Sequence, residues 1–272
     1  MQFAPVSGVA TIIAEAYRWD RRLGSTVIET AHCRIVSNPK FPDVWDHNHA
    51  ESVNAATVDE IADVFREMDR HLAHTSWRVF HTDCFTPDAF LARIAMDGFV
   101  ERPVVIQMML DGPCLARGAD VEVRPVKSDA DWAALLALVV ADHREGKRTG
   151  GLALDKDFSA AVVEGYRAKG SQRLFQLAFR DSIPVAYGSC GAAPNGGGII
   201  EDLFTVQGAR KQGIATRMIA QFVDELRAAG SHTIFLGALA AEEAKTLYAR
   251  LGFRPVMLSR SWVRQIPAQT AY

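Results

Sequence analysis

The amino-acid sequence predicts an α/β protein built on mixed sheets and arranged as two similar domains. Three observations predict this class. The 272 residues are 49% hydrophobic, which is enough to bury one large core or two modest ones. The second half of the chain has the pattern of a strand, two helices, three strands and then alternating helices and strands. The first half repeats a strand-helix-strand unit that lies near the carboxyl end.

Composition limits the class of protein and of partner. Thirty Lys and Arg residues stand against 32 Asp and Glu residues, so neither a nucleic acid nor an anionic membrane is favoured as a partner. The four cysteines form no C-x-x-C pair, and neither a disulfide framework nor a metal site is expected. No apolar run approaches the roughly 20 residues that span a bilayer, and Glu15 interrupts the apolar amino-terminal segment. We therefore expect a soluble, unprocessed, cytoplasmic protein.

The elements of the second half follow from apolar periodicity and turn residues. "VEVRPV" is predicted to be a strand, Ser128 to cap a helix that carries "WAALLALVVADH", and Phe158–Ala168 to form a second helix. The segments "RLFQLAF", "PVAYGSCGA" and "GIIEDLFTV" are predicted to form three strands in hairpin succession. A helix from Ile214 stops at Gly230. The strand "HTIFLGAL", a helix over Glu242–Leu251 and the strand "RPVMLSRSWV" complete the order.

The first half contains a partial copy of this order. "SWRVFHTDCFTPDAFLARIAMDGFVERPVVIQMM" can be laid over "SHTIFLGALAAEEAKTLYARLGFRPVMLSRSW", and Gly98-Phe99 then meets Gly252-Phe253. An amphipathic helix between Val58 and Leu72 precedes the copy, and "VWDHNHAESV" is the expected strand before that helix. The segment "DGPCLARGAD" has the composition of a linker. We predict a domain over residues 1–112, a linker over 113–120 and a second domain over 121–272.

A glycine-containing basic turn opens the helix at Ile214. The segment "GARKQG", residues 208–213, has the spacing of a phosphate-binding loop, but Ile214 and Ala215 follow where Lys and Ser or Thr would be needed. A nucleotide triphosphatase is therefore disfavoured, and no G-x-G-x-x-G motif supports a dinucleotide fold. The helix start offers free N–H groups beside Arg210 and Lys211, which favours a pyrophosphate. The alternative is that both basic residues are solvated turn charges.

The pattern Arg210-x-x-Gly213-x-Ala215 after a strand, with "LYARLGF" downstream, resembles the GNAT superfamily, the GCN5-related N-acetyltransferases that use acetyl-coenzyme A. The resemblance covers residues 121 to about 265 in element order. It implies the acyl-CoA N-acyltransferase (GNAT) fold and, with the repeat in the first half, two tandem GNAT-like domains. The residues that the resemblance implies for acetyl-CoA binding lie on the strand before the turn, on the turn and on the first helical turn: Leu203, Phe204, Thr205, Arg210, Lys211, Gln212, Gly213, Ile214, Ala215 and Thr216. The chain departs from the family pattern at Thr205, Gln207 and Ala241, and the last departure puts one coenzyme contact in doubt.

Acetyl transfer to an amine needs a neutral nucleophile, a polarised carbonyl and a proton for the departing thiolate. The resemblance implies that Tyr248 is the general acid, and the alternative is a tyrosine that packs under the last strand. Glu201 and Asp202 are the candidates for the base. Strand alternation is expected to place them on opposite faces, so that only one faces the acceptor. We favour Glu201 and then Asp202, and the alternative is that the outward carboxylate solvates an edge.

The first half lacks the pyrophosphate-binding pattern. Asp59 and Glu60 lie at its helix start and would repel phosphate, so this half is expected to be a degenerate GNAT-like domain. Strand alternation in "DVWDHNHAESV" places His47 and His49 on one face. With Trp45 they are candidates for acceptor recognition, which we favour over a metal site.

These residues predict an acetyl-CoA-dependent N-acetyltransferase that acts on a primary amine of a small molecule by direct transfer in a ternary complex. A catalytically silent acyl-CoA-binding or interaction module and a protein or peptide N-acetyltransferase are the alternatives. The segment with His143, Arg144, Gly150 and Gly151 is either an acceptor-side loop or a solvated basic loop. The acceptor, the acyl chain length and the oligomeric state stay open, and a homodimer is one possibility.

Overall fold

A computed structural model of the chain describes residues 6–116, 118–146 and 156–266. Contacts divide the chain into two compact units. Unit 1 is drawn from the segments Met1–Asp20 and Ile106–Val256, and unit 2 from Arg21–Val105 and Met257–Tyr272. The units differ from the predicted boundaries at 112 and 121, because residues from the start of the chain belong to unit 1 and residues from its end belong to unit 2.

The described residues form helices and strands in the following order. The helices are α1 Val6–Arg21, α2 Val58–His71, α3 Asp88–Met96, α4 Asp129–Glu145, α5 Lys156–Ala168, α6 Ile214–Ala228 and α7 Ala244–Arg250. The strands are β1 Thr26–Glu29, β2 Arg34–Ser37, β3 His49–Glu51, β4 Trp77–Thr82, β5 Val100–Glu101, β6 Val105–Leu110, β7 Glu122–Pro125, β8 Leu174–Arg180, β9 Ile183–Ala192, β10 Gly197–Thr205, β11 Thr233–Leu239 and β12 Phe253–Gln265. Short 3-10 helices cover Trp45–His47, Gly170–Gln172 and Gln207–Ala209.

Unit 1 contains a sheet with the strand order β6-β11-β10-β9-β8-β7. Leu135 of α4 and Val163 of α5 share an apolar cluster with Phe175 and Leu177 of β8. The inward stripe of α6 and Tyr248 of α7 lie in a second cluster with residues of β9 and β10. The sheet is therefore covered by helices on both faces, as apolar side chains on both sides of these strands require.

The sequence analysis did not predict helix α1, and in the structure it packs on the sheet of unit 1. The ring of Tyr17 lies edge-on to the ring of Phe235 on β11, with centroids 5.4 Å apart. A methyl group added at Gly197 of β10 would come within 2.8 Å of Ala16, so this glycine permits the close approach of α1. The buried positions Ile13, Ala16, Tyr17 and Asp20 recur at helical spacing, and this was the missed signal.

Unit 2 contains strands in the order β1-β2-β3-β4-β12, with β5 paired to β12. Strands β3 and β4 are parallel, and β12 runs antiparallel to β4 from Arg260 to Gln265. Helices α2 and α3 supply Val64, Met68 and Phe90 to the core of this unit. Ser52, just after β3, has a φ of 55°, and Asp202 on β10 has a φ of 57°, so a left-handed residue recurs at corresponding strands of the two units.

Each unit takes a strand from the other half of the sequence. β6 comes from the first half and is the neighbour of β11 in the sheet of unit 1. β12 comes from the end of the chain and pairs with β4 in unit 2. The sequence repeat aligned these two strands with each other, but it carried no information on which sheet each would join.

The predicted α/β class with mixed sheets is confirmed, and the predicted order of elements after residue 121 is the observed one. The strand predicted for "VWDHNHAESV" is wrong in part, because Trp45–His47 forms a 3-10 helix and only His49–Glu51 is a strand. The Asn48 amide donates to the carbonyl oxygens of Phe41 and Val44, which stabilises the turn in place of a longer strand. Among the described residues, no helix is both long and apolar enough to cross a membrane.

Candidate active site

Strand β10 leaves its parallel neighbour partway along its length. Its register with β11 runs from Gly197 opposite Thr233 to Ile200 opposite Leu236. β10 continues to Thr205 and β11 to Leu239, but no paired positions follow Ile200. The parallel pairing of β10 with β11 therefore ends at Ile200, well before the end of β10 itself at Thr205.

A β-bulge lies at the point where the two strands separate. Glu201 is opposite Ser189 and Phe204 is opposite Tyr187, so β10 has one more residue than β9 in this interval. The strand accommodates the extra residue at Asp202, where the backbone is left-handed with a φ of 57°. Bulges of this kind commonly lie beside active sites, where they redirect a side chain.

The bulge changes the predicted orientation of the two carboxylates. Alternation would place Glu201 and Asp202 on opposite faces, but both reach the guanidinium of Arg173, at 3.2 and 3.9 Å. Asp202 also accepts hydrogen bonds from Tyr166 at 2.9 Å and from Ser189 at 2.7 Å. The expectation that only one carboxylate faces this side is therefore wrong, because the left-handed residue interrupts the strand alternation.

Arg173 is the centre of a buried group of charges, which we call the Arg173 network: Asp20, Lys169, Arg173, Glu201 and Asp202. The Arg173 side chain has no exposed surface. Its Nη1 atom donates to Asp20 at 2.9 Å, its Nη2 atom donates to Glu201 at 3.2 Å, and its Nε atom donates to Ser189 at 3.1 Å. Lys169 donates to the second oxygen of Asp20 at 2.7 Å. Three carboxylates thus share two cations, which leaves the network with an excess of negative charge when all its groups are ionised.

Glu201 is the most exposed carboxylate of the network. Its side chain is 32% exposed, against 16% for Asp202 and 3% for Asp20. Burial by the surrounding protein raises the pKa of Glu201 above its usual range, although Arg173 opposes this shift. Glu201 therefore combines access from solvent with an increased affinity for a proton, as a general base requires.

The start of α6 provides the second part of the site. Gly213 is the N-cap residue, with a φ of 80° and no side-chain hydrogen bond to the first helical turn. Lys211 is also left-handed, with a φ of 60°. Free N–H groups at a helix start, together with the helix dipole, favour an anion such as a pyrophosphate. A coenzyme phosphate group therefore fits the geometry of this turn.

The described residues of the predicted linker lie against this turn. The Ala119 amide donates to the carbonyl oxygen of Gly213 at 3.3 Å, and a methyl group added at Gly213 would come within 3.0 Å of the Ala119 nitrogen. The backbone of Leu115 donates to Leu251 at 3.0 Å. This segment is thus attached to unit 1 by backbone hydrogen bonds.

Arg210, a predicted pyrophosphate ligand, has protein partners in the structure. Its Nε atom donates to the carbonyl oxygen of Thr205 at 2.8 Å, and its Nη2 atom lies 2.6 Å from both oxygens of Glu145 at the end of α4. The guanidinium lies over the ring of Phe204, 5.7 Å from the centroid. Arg210 therefore braces the turn, and its side chain is not held ready for a ligand alone.

The other predicted coenzyme residues divide by exposure. Lys211 and Gln212 are exposed, and Gln212 accepts a hydrogen bond from Arg180 at 2.8 Å. Phe204, Ile214 and Thr216 are buried. Leu203, Thr205 and Ala215 are partly buried. The buried residues can offer only backbone groups to a ligand, and their roles stay predictions.

Tyr248, the predicted general acid, is 7% exposed and lies on α7. It belongs to the apolar cluster that also contains Ile214 from the start of α6. Its ring centroid is 6.4 Å from that of Phe253. Packing of this kind agrees with either the catalytic or the structural interpretation, so the catalytic role stays a prediction.

Helix α2 of unit 2 begins differently from α6. Thr57 caps the helix by accepting from the Glu60 amide, and Glu60 accepts in return from the amides of Ala56 and Thr57 at 2.8 and 2.9 Å. These backbone hydrogen bonds lower the pKa of Glu60. The Glu60 carboxylate thus occupies the two amides just before the helix, and the Thr57 hydroxyl occupies an amide of its first turn. That unit 2 does not bind coenzyme A in the same way stays a prediction.

The histidines singled out in unit 2 are buried among polar partners. His47 pairs with Ser25 at 2.7 Å, and His49 with the carbonyl oxygen of Trp45 at 3.1 Å. The rings of His49 and His81 lie edge to face, 4.4 Å apart, and burial lowers the pKa of His81 to about 3. Over the described ranges, no group of three or more His, Cys, Asp or Glu side chains is placed to hold a metal ion. A role of these histidines in acceptor recognition stays a prediction.

His143 lies on α4 rather than in a loop, and its Nδ1 atom pairs with the Ser159 hydroxyl on α5 at 2.8 Å. Arg144 is exposed. The helix ends at Gly146 with a left-handed φ of 67°. Gly150 and Gly151 lie outside the described residues.

The sequence model of the acetyltransferase (GNAT) family matches residues 132–253. This range contains the bulged strand β10, the start of α6 and Tyr248. This part of the chain, somewhat less than half of its length, therefore matches the GNAT family of acetyltransferases. A sequence search of curated proteins found no match.

Solved structures share the fold over most of the chain. A GCN5-related N-acetyltransferase from Kribbella flavida is 18% identical, with a TM-score of 0.67, and the match covers 93% of this chain and 95% of that one. A functionally unknown conserved protein from Staphylococcus epidermidis is 15% identical, with a TM-score of 0.70 and coverage of 90% and 96%. A tandem GNAT protein from the clavulanic acid biosynthesis pathway is 12% identical, with a TM-score of 0.56 and coverage of 90% and 83%. These identities show the fold alone, and the predicted arrangement of two tandem GNAT-like domains is confirmed.

Sequence reasoning found the strand, the turn and the carboxylates, but it missed Asp20, Lys169 and Arg173. Asp20 and Arg173 are 153 residues apart in sequence, and no local pattern connects them. Asp20 lies at the end of an amphipathic helix, and Arg173 lies just before a buried strand. The sequence does not indicate that either charge is buried, and only the fold shows it. Charged residues are almost never fully buried unless they are paired.

Proposed function

We propose that unit 1 catalyses the transfer of an acetyl group from acetyl-CoA to a primary amine of a small molecule, by direct attack in a ternary complex. One observation carries the proposal. A strand with a β-bulge and a carboxylate of raised pKa runs directly into a helix start that has no side-chain cap, all within residues 201–216.

The backbone supplies the binding groups for acetyl-CoA in this proposal. The edge of β10 from Leu203 to Thr205 would pair with the pantetheine arm as a neighbouring strand does. The N–H groups of the first turn of α6, with Lys211 beside them, would hold the pyrophosphate. Bound acetyl-CoA supplies the activated acetyl thioester, and a backbone N–H near Leu203 or Phe204 would polarise its carbonyl.

The charge of the Arg173 network supports an amine as the acceptor. Three carboxylates against two cations favour an approaching ammonium group over an anion. Asp202 is already engaged by Tyr166 and Ser189, so it would have to break hydrogen bonds to contact the acceptor. Glu201 is more exposed and is therefore our first choice for the contact with the amine.

In the chemical step Glu201 accepts a proton from the ammonium group, directly or through a water molecule, and leaves a neutral amine. The nitrogen lone pair forms the new C–N bond to the acetyl carbon as the C–S bond breaks. Tyr248 donates its phenolic proton to the departing sulfur. The nitrogen loses its second proton as the amide forms, and this proton restores the Tyr248 phenol, directly or through water. Glu201 releases the first proton to solvent, so the products are the acetamide, coenzyme A and one proton.

The experiment that tests this proposal is a thiol-release assay with acetyl-CoA and a panel of small amines, amino acids and peptides, with mass spectrometry of the products. We expect amine-dependent release of free thiol and a product heavier by one acetyl group. Thiol release without an amine provides the control rate. Preference for peptides would support a peptide N-acetyltransferase, and binding without any turnover would support a catalytically silent module. Either result would contradict the proposal.

Two further expectations accompany this function. We propose a cytoplasmic location, where acetyl-CoA is made and used. The oligomeric state stays open, with a homodimer as one possibility that size-exclusion chromatography with light scattering decides.

A further inference from the structure

The last residue of α1 in unit 1 lies within the candidate active site. Asp20 is 2% exposed. One of its carboxylate oxygens accepts from Arg173 at 2.9 Å, and the other accepts from Lys169 at 2.7 Å. A buried carboxylate with two cationic partners is strongly held, because separating it from either one would leave a charge unpaired.

Arg173 is shared between Asp20 and the two carboxylates of the bulge. Its Nη1 atom faces Asp20, and its Nη2 atom faces Glu201 at 3.2 Å. One guanidinium charge therefore serves carboxylates on both sides. Asp20 compensates part of the positive charge of Arg173. That part no longer stabilises the ionised form of Glu201.

The position of Asp20 is fixed by the packing of α1. A methyl group added at Gly191 would come within 3.2 Å of the Trp19 ring and 3.3 Å of the Arg173 side chain, so Trp19 and Arg173 both pack closely over this glycine. Tyr17 donates to Gln107 of β6 at 3.0 Å. Asp20 thus has little freedom to move away when the charges around it change.

We propose that Asp20 is a positioning residue that acts through Arg173 and, together with Lys169, sets the proton affinity of Glu201. The amino-terminal helix is then part of the acceptor side of the active site, although the family match begins at residue 132. This inference rests on the proposed role of Glu201 as the base.

The direction of each contribution follows from its charge. Burial is the largest influence on the pKa of Glu201 and raises it. Arg173 and Lys169 lower this pKa, while Asp202 and Asp20 raise it. The titratable and charged groups that face Glu201 or its partners come from α1, α5 and the segment after it, β9 and β10: Asp20, Tyr166, Lys169, Arg173, Cys190 and Asp202.

Two substitutions with opposite effects test the proposal. Asp20→Asn removes a negative charge and keeps the shape of the side chain, so it lowers the pKa of Glu201. Lys169→Met removes a positive charge and keeps the aliphatic stem, so it raises the pKa of Glu201. Glu15→Gln is the matched control, since Glu15 lies exposed on the same helix. If α1 had only a structural role, the two substitutions would not shift the pKa of Glu201 in opposite directions.

The primary measurement is the titration of the Glu201 carboxyl carbon by NMR in protein labelled with 13C at the glutamate side chains, with the signal assigned from Glu201→Gln. We expect the midpoint to move to lower pH in Asp20→Asn, to move to higher pH in Lys169→Met and to stay in place in Glu15→Gln. Circular dichroism melts establish that each variant is folded. If Asp20→Asn does not fold, Lys169→Met still tests the charge dependence.

The pH dependence of kcat/KM gives the second measurement. We express kcat/KM at an acidic pH as a fraction of each protein's own plateau value. On the acid limb this fraction is expected to be about twofold or more higher in Asp20→Asn than in the unchanged protein, because more of its base is deprotonated. Unshifted or equally shifted NMR midpoints in the two network variants would overturn this inference even in an active enzyme. Opposite NMR shifts in a protein that transfers no acetyl group would instead support the network and refute the proposed function.

Discussion

Glu201 is the side chain on which the proposed chemistry depends, because it is the least buried carboxylate of the Arg173 network and its partial burial raises its pKa. Glu201→Gln keeps the size of the side chain and removes the base. We expect kcat to fall by about 10²-fold to 10⁴-fold, as is typical for the loss of a general base. Asp202→Asn is the comparison, and its effect on kcat is expected to be smaller. Equal losses in the two variants would contradict the assignment of the base.

The same residue determines the pH dependence of the reaction. The base must be deprotonated, so kcat/KM is expected to decrease as the pH falls through the pKa of Glu201. This pKa is raised, and the acid limb therefore lies above the pH at which an ordinary glutamate titrates, about 4.3. In Glu201→Gln this limb should be absent, and its persistence would identify another group as the base.

Glu145 is paired with the predicted coenzyme residue Arg210, and the two side chains are 26% and 34% exposed. The carboxylate lies near a helix start that is expected to bind phosphate, so it opposes the binding of an anion. We expect Glu145→Gln to increase the affinity for coenzyme A by about 1.4-fold to 5-fold, which corresponds to the roughly 0.2 to 1 kcal/mol of an exposed ion pair. Calorimetry measures the change, with Glu164→Gln on α5 as the control. A weaker affinity in Glu145→Gln would show that the pair organises the site instead.

At the scale of elements, the start of α6 differs from the start of α2. Gly213 is left-handed and provides no side-chain cap for the first turn of α6, whereas Thr57 and Glu60 form a capping box at the start of α2. The start of α6 can therefore accept an anion. The acidic residues at the start of α2 disfavour one. The difference explains why unit 1 is the candidate for coenzyme binding.

Gly213→Ala tests the geometry of this turn. Alanine in the left-handed region costs about 1 to 2 kcal/mol, and its methyl group would come within 3.0 Å of the Ala119 nitrogen. We expect a lower melting temperature and an affinity for coenzyme A that is weaker by about fivefold to tenfold. Gly208→Ala in the same loop is the matched control, since no atom lies within 4 Å of the added methyl group. Equal behaviour of the two variants would contradict the role assigned to Gly213.

The elements that the sequence predicted well are those with local signals. Apolar periodicity and the glycine at 213 are sufficient to place the strand, the turn and helix α6. The bulge at Asp202 has no such signal, because it depends on the pairing of β10 with β9. Asp20 and Arg173 come into contact only because α1 packs on the sheet. The sequence analysis therefore interpreted Glu201 and Asp202 without Arg173, the partner that they share.

At the scale of the whole molecule, the exchange of strands joins the two halves of the sequence. Unit 1 requires α1 and β6 from the start of the chain, and unit 2 requires β12 from its end. The sequence repeat corresponds to two similar orders of helices and strands. Each compact unit, however, contains segments from both halves of the sequence. A division of the chain between the repeats would therefore separate strands from their sheets.

The fragment of residues 121–272 tests this organisation. It lacks β6, so β11 loses a neighbour and the core loses Met108 and Leu110. We expect the fragment to show no cooperative thermal transition and no binding of coenzyme A, since an exposed hydrophobic edge strand promotes aggregation. Co-expression with residues 1–120 is expected to restore both properties. A fragment that melts and binds as the whole chain does would show that the carboxyl half is self-sufficient.

The central claim is that unit 1, and not unit 2, binds coenzyme A at an uncapped helix start. Its most direct test is a calorimetric titration of the whole chain with coenzyme A and with acetyl-CoA, which measures the number of sites. The account predicts one molecule of ligand bound per chain. No measurable binding, or two molecules per chain, would contradict it.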